Sequence, residues 1–240
     1  MKYSDFEEII SADRMQRYLQ ACNGDTRKAM TLYRYNLKVS QEMFTIVSCF
    51  EVALRNRINT HLTKLFGMDW LRDSVLDNGI FNMQILQKTR DIIYFAYRKL
   101  DRTNSYSHSK LIAEMEFGIW KYMFSPIQYR QSGRNLLSIF PNKPRSSAEH
   151  QYNQTFIFNE LDKINSLRNR IAHHEPICFI VQKAVIDTNY IRVIYQKILT
   201  LFHWMNVDSK SLLYGLDHVL DMADKIDKIS SNRIHIRFQS

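Results

Sequence analysis

The chain has 240 residues, 45% of them hydrophobic, enough for one domain with a real core or two small ones. Lys+Arg 33 against Asp+Glu 24 gives a formal net charge of +9, which favours polyanionic partners such as nucleic acid or an anionic surface. Gly (6) and Pro (4) are scarce against a usual ~12%, which argues against an all-β fold, and the glycines lie too far apart for a phosphate loop or dinucleotide fingerprint.

Ser4-x-x-Glu7 has the pattern of a capping box and opens a helix over 4–22, stopped by Asn23-Gly24. Asp25 caps the next segment, which keeps helical apolar spacing from Ala29 to Leu65 with no Pro or Gly over 25–66. One or two collinear helices are expected there, about 60 Å long if unbroken, ended by Gly67. A further helix is expected over 80–102, then a polar loop over 103–109 and a helix over 110–124 stopped at Ser125-Pro126. Pro126 suits the first turn of a short helix. Pro141 and Pro144 bracket a break, and Ser146-x-x-Glu149 forms a second capping box opening a helix that closes before Pro176. Helices are expected at 188–206 and 209–229, followed by a short basic tail to Ser240. No linker-like or low-complexity stretch interrupts the chain, so the expectation is one all-α domain.

Cys22, Cys49 and Cys178 are widely spaced and form no CxxC pair, which argues against a zinc ribbon or redox motif and fits reduced thiols in a cytoplasmic protein. The first ten residues carry acids where a signal peptide is apolar, and no run of ~18 apolar residues suggests a membrane span.

The chemistry concentrates in Leu167-Arg168-Asn169-Arg170-Ile171-Ala172-His173-His174-Glu175-Pro176. Two arginines, an asparagine and two histidines crowd the last turns of a helix, whose C-terminus favours cations. Asn169 and His173 are i,i+4 neighbours. Arg168 and His173 are five apart, ~140° around an ideal helix, so they converge only through the arginine's reach, an unwound end or a second chain. The chemistry these residues suit is RNA phosphodiester cleavage by the 2′-hydroxyl. A base takes its proton, an acid protonates the leaving oxygen, and a cation steadies the added charge. The same residues also suit a plain polar helix end, with histidines on the last carbonyls and arginines on solvated carboxylates.

Arg168-x4-His173 matches the Arg-x4–6-His signature of the HEPN superfamily, and the string from Arg168 to Ile177 resembles the form seen in Abi-like (abortive infection) proteins. Phe50-Glu51 with Arg55 resembles that family's upstream helix motif, and Glu114, Phe117-Gly118 and Trp120 resemble its glutamate–Phe-Gly–Trp segment. The resemblance implies a HEPN helical bundle with its core over about 25–206, usually a homodimer, acting as a metal-independent endoribonuclease without cofactor. It further implies a toxin-like role in phage defence, with two motifs meeting in a composite cleft. Arg168 and His173 match the catalytic pair, Asn169 the polar position after the arginine, and His174 is a supporting candidate. Glu51 is placed to orient the arginine, or equally to pair with Arg55 one turn along. The family also holds non-cleaving modules that bind RNA or protein, and toxins silenced by an RNA or protein antitoxin, so these remain alternatives.

Adjacent His173, His174 and Glu175 point to different sides of a helix and lack HExxH spacing, so no metal site is expected. Residues 117–148 contain Lys121, Arg130, Arg134, Lys143 and Arg145, no acid, and the interleaved aromatics Trp120, Tyr122, Phe124, Tyr129 and Phe140. The aromatics read as core; Arg130, Arg134, Lys143 and Arg145, with Arg170, are either RNA-binding cations or merely solvated. His61, His108, His150, His203 and His218 read as structural or solvated. The string Leu54-Arg-Asn-Arg-Ile58 recurs as Leu167–Ile171, pairing an apolar face with a forked cation.

Overall fold

The structure, a computed structural model, describes residues 1–231. It is all-α: α1 (Tyr3–Ile10), α2 (Ala12–Ala21), α3 (Thr26–Phe66), α4 (Trp70–Asp73), α5 (Gln87–Arg102), α6 (His108–Glu114), α7 (Phe117–Tyr122), α8 (Pro126–Gln131), α9 (Gln154–Ala172), α10 (Asn189–Trp204), α11 (Ser209–Leu212) and α12 (Val219–Ser231). Two 3-10 turns lie at Gln84–Leu86 and Leu136–Ile139. Extended pairing among the described residues is a single isolated bridge, Phe179 to Ile186. The basic tail beyond residue 231 lies outside the described residues.

The chain divides into two compact units, with the cuts falling inside α3, α9, α10 and α11. The first comprises Met1–Ser48, Ser166–Leu199 and the chain from Lys210. Its core is a run of edge-on aromatic pairs: Phe6 to Tyr33 at 5.5 Å, Tyr33 to Tyr18 at 5.3 Å, and Tyr18 to Phe179 at 5.0 Å. Burial raises the Tyr18 phenol well above its ordinary range. The Arg192 guanidinium ties α10 to α12 through Asp224 and Asp227 at 2.6 and 2.8 Å.

The second unit comprises Cys49–Asn165 and Thr200–Ser209. Phe50 is its hub, meeting Phe202 at 5.3 Å and Phe117 at 6.3 Å, with Trp70 and Trp120 fully buried. Asn59 serves as a polar anchor. Its Oδ1 accepts from Trp70 Nε1 and from His108 Nε2, both at 2.8 Å. That fixes the His108 tautomer and leaves Nδ1 buried without a partner among the described residues, and burial holds the His108 pKa below its ordinary value.

The long apolar stretch forms one unbroken helix, α3, opened by Asp25 accepting from the Lys28 N–H at 3.0 Å and ended by Gly67 at φ +93°. Other boundaries differ from expectation. The 4–22 segment is two helices, because Ser11 at φ +86° breaks it and caps α2 through the Arg14 N–H. Ser4 makes no cap; its hydroxyl turns to Asp5. Residues 110–124 split at Met115–Glu116, which are extended. Leu111, Ile112, Met115, Phe117, Ile119 and Trp120 are all buried, and that density exceeds one face of a straight helix. The Ser146 and Ser147 hydroxyls accept from Tyr152 and His150 N–H groups within a loop, and Asn153 caps α9 instead. Gly215 at φ +74° lies between α11 and α12, in place of a continuous helix over 209–229, and 80–102 becomes regular α-helix only from Gln87.

Candidate active site

The sequence motif forms the end of α9. Leu167 is fully buried, while Arg168 is half-buried and Asn169, His173 and His174 are exposed. The helix stops in a Schellman motif: the Glu175 N–H donates to the Arg170 carbonyl at 2.8 Å and the His174 N–H to the Ile171 carbonyl at 2.9 Å. His174 occupies the left-handed position at φ +56°. The same closure ends α2, α5 and α10, where Asn23, Asn104 and Asn206 take that position. His173 is thus the last residue before the reversal, with its N–H still bound to the Asn169 carbonyl at 2.9 Å.

The cations around this end have two different fates. Arg170 is turned onto the loop that follows: its guanidinium donates to the Pro176 carbonyl at 2.7 Å and to Glu175 at 3.3 Å, and it sits over the Tyr190 ring. Arg14 donates to the His174 carbonyl at 3.0 Å. Arg17 holds the next turn through the Ile180 and Lys183 carbonyls. Arg168, by contrast, reaches only Asn169 Oδ1, at 3.5 Å, and forms no ion pair among the described residues. The exposed imidazole of His173 has no side-chain partner among them either.

Asn36 of α3 is a functional candidate that sequence reading missed. It is 4% exposed and its Oδ1 accepts from the Ile177 and Cys178 N–H groups at 2.9 and 3.3 Å, pinning the chain just past the motif. The signal was an asparagine on the apolar stripe of Ala29, Leu32 and Tyr33. Cys178 beside it is buried, and its thiol is pushed far up by burial. All three cysteines are free thiols.

Glu51 and Arg55 lie one turn apart on α3 within the second unit, where the Arg55 Nε is buried without a hydrogen bond among the described residues. In the acid-free stretch of that unit, Trp120, Phe124 and Phe140 are core, whereas Tyr122 is 41% exposed. Lys121 is buried and paired with Asp162 at 2.7 Å. Arg130, Arg134 and Arg145 are exposed, and Lys143 Nζ donates to the Pro144 carbonyl. His61 contacts Asn135 and Ser138, and His218 pairs with Glu42 at 3.4 Å. The described residues hold no group of three or more His, Cys, Asp or Glu able to bind a metal ion.

No described helix is long and apolar enough to cross a membrane. Neither the curated proteins nor the solved structures give a match. One family model, that of the Abi-like proteins, matches residues 2–178 and takes in α1 to α9 together with the whole of the Arg168–Pro176 turn. The chain therefore belongs to the Abi-like protein family, a membership consistent with a role in abortive infection.

Proposed function

We propose that this protein is a metal-independent endoribonuclease of the HEPN type and a toxin-like effector of abortive infection. The observation that carries the reading is the contrast at one helix end. Arg14 and Arg170 hold the backbone in place, while beside it Arg168 reaches only Asn169 and, like His173, forms no ion pair among the described residues. A cation and an imidazole held ready on a rigid turn suit in-line attack of an RNA 2′-hydroxyl on the adjacent phosphorus. The new O–P bond forms as the P–O5′ bond breaks, the 2′ proton passes to a base, and an acid protonates the departing 5′ oxygen. His173 is the proton-transfer group and Arg168 the stabiliser of phosphorane charge, with Asn169 steadying the guanidinium and His174 in support.

The reaction needs both a base and an acid, and His173 of a single motif is one proton-transfer group. Two chains paired about a two-fold axis supply both, and the HEPN resemblance points to that homodimer. RNA is the substrate, the exposed Arg130, Arg134 and Arg145 with the half-buried Lys143 are its electrostatic track, and an RNA or protein antitoxin is a natural silencer. The test is incubation of the purified protein with total RNA in EDTA, followed by end-group analysis. The expected products carry 5′-hydroxyl and 2′,3′-cyclic phosphate ends. Intact RNA, or cutting that appears only on adding magnesium or manganese, overturns the reading.

A further inference from the structure

The end of α9 also walls a cavity of about 340 Å³, a size that takes small ligand groups. Leu37 and Phe44 of α3 line one side, and Ile171, His174 and Glu175 of the motif line the other. Leu37 and Phe44 are 46% and 43% exposed, two turns apart on one helix face. An open apolar wall of this kind binds flat or greasy groups, and alone it says nothing about which.

Asn36 narrows the choice. It lines the same cavity and is 4% exposed. The Ile177 and Cys178 N–H groups fix its Oδ1, so the amide cannot rotate without losing both bonds. Its Nδ2 is a pure donor and makes no hydrogen bond to any described residue. The residue is nearly buried and its orientation is fixed, so the Nδ2 donor stays available to an acceptor from a ligand in the cavity. Glu175, held by Arg170 at 3.3 Å, adds a carboxylate that accepts N–H groups. An aliphatic side chain from a protein partner covers the apolar wall but leaves the amide unanswered. A nucleobase answers all three features, with a flat face for Phe44 and Leu37, an edge acceptor for Asn36 and an edge N–H for Glu175.

We propose that this cavity is a base pocket, which takes one unpaired base of the RNA strand next to the phosphate held by Arg168. Arg168 lies one helical turn before Ile171, so a phosphate at the guanidinium puts the neighbouring base within reach of the cavity. The assignment rests on the reading of the α9 end as a cleavage site. It makes the enzyme selective for the base beside the cut, where a bare Arg/His pair has no means to be.

Two readouts test it on the full chain. In one, random-sequence RNA is cut and the ends are sequenced. In the other, random-sequence 2′-O-methyl RNA, which lacks the attacking hydroxyl, is bound and the retained pool is sequenced. The expected result is one favoured base at one position in both, by roughly 10-fold. Asn36→Asp keeps Oδ1 and removes the donor; Phe44→Ala removes the aromatic face at an exposed position. Each variant should flatten the preference while leaving melting near that of the wild type, and Phe44→Ala carries the test if Asn36→Asp does not fold. A bound pool with no favoured base, or a preference that survives in Phe44→Ala and in folded Asn36→Asp, overturns the proposal. Base-selective binding without cutting keeps the pocket and removes the nuclease; cutting without base preference does the reverse. If Phe44→Ala dissociates an oligomer while base preference persists, a second copy fills the cavity and the proposal falls.

Discussion

Arg168 and Arg170 stand two residues apart in one motif, and the structure gives them opposite consequences on truncation. Arg170→Ala removes a charge-assisted hydrogen bond to the Pro176 carbonyl at 2.7 Å, worth ~1.5–3 kcal/mol. It also removes the contact over Tyr190 at 5.2 Å, worth ~0.5–1 kcal/mol. The pair with Glu175 adds little, because that carboxylate is 55% exposed. Together the loss is about 2–4 kcal/mol, which for a chain of this size lowers the melting temperature by roughly 5–15 °C. Arg168→Ala breaks only the long contact to Asn169 and should stay within ~0.5 kcal/mol of the wild type. The assay is thermal melting by circular dichroism, with RNA cleavage read well below both midpoints. Arg170→Ala should melt early yet cut RNA while folded; Arg168→Ala should melt normally and not cut. Arg168→Lys should restore little, because the planar fork is lost. Wild-type melting of Arg170→Ala together with loss of RNA binding would refute this division of labour and return Arg170 to the RNA.

Three further outcomes follow from particular geometries. His174→Gly relieves a left-handed residue at φ +56°, so stability should hold or rise by up to ~1 kcal/mol; a drop of several degrees in melting would show that the imidazole itself holds the turn. The His108 pKa is depressed from 6.5, chiefly by burial, so the unfolded chain binds the proton more readily. Its contribution is full above about pH 6.5 and lost as pH falls below that value; denaturant titrations at stepped pH should show this loss in the wild type and less of it in His108→Gln, and identical profiles would contradict it. Charge reversal of Arg130, Arg134, Lys143 and Arg145 should weaken RNA binding and flatten its salt dependence, and unchanged affinity and slope would place the strand elsewhere.

What the sequence made legible were features written locally. The 41-residue α3, its Asp25 cap and its Gly67 end need only apolar spacing and two punctuating residues. The stop before Pro176 was equally visible. The capping box at Ser146 misled because serine hydroxyls serve loop N–H groups as readily as helical ones, and whether a helix follows depends on burial further along. The break at Met115–Glu116 came from core packing, which periodicity does not reveal when nearly every position is apolar. At the site, Arg168 and His173 could be named from spacing, yet nothing in the string showed that Arg170 turns onto the following loop. That placement arises from the Pro176 carbonyl and the Tyr190 ring, which come together only once the loop is folded. Asn36 was hidden for the same reason, since its partners lie about 140 positions away.

The most direct measurement of the central claim is the rate at which 5′-hydroxyl ends appear when RNA is incubated in EDTA with wild-type protein or with His173→Ala. His173 is exposed at a helix end, so its truncation leaves the fold and melting temperature unchanged. Loss of a proton-transfer group should slow cleavage by ~10²–10⁴-fold. Wild-type cutting by folded His173→Ala, or ends that form only after a divalent metal is restored, would contradict the account.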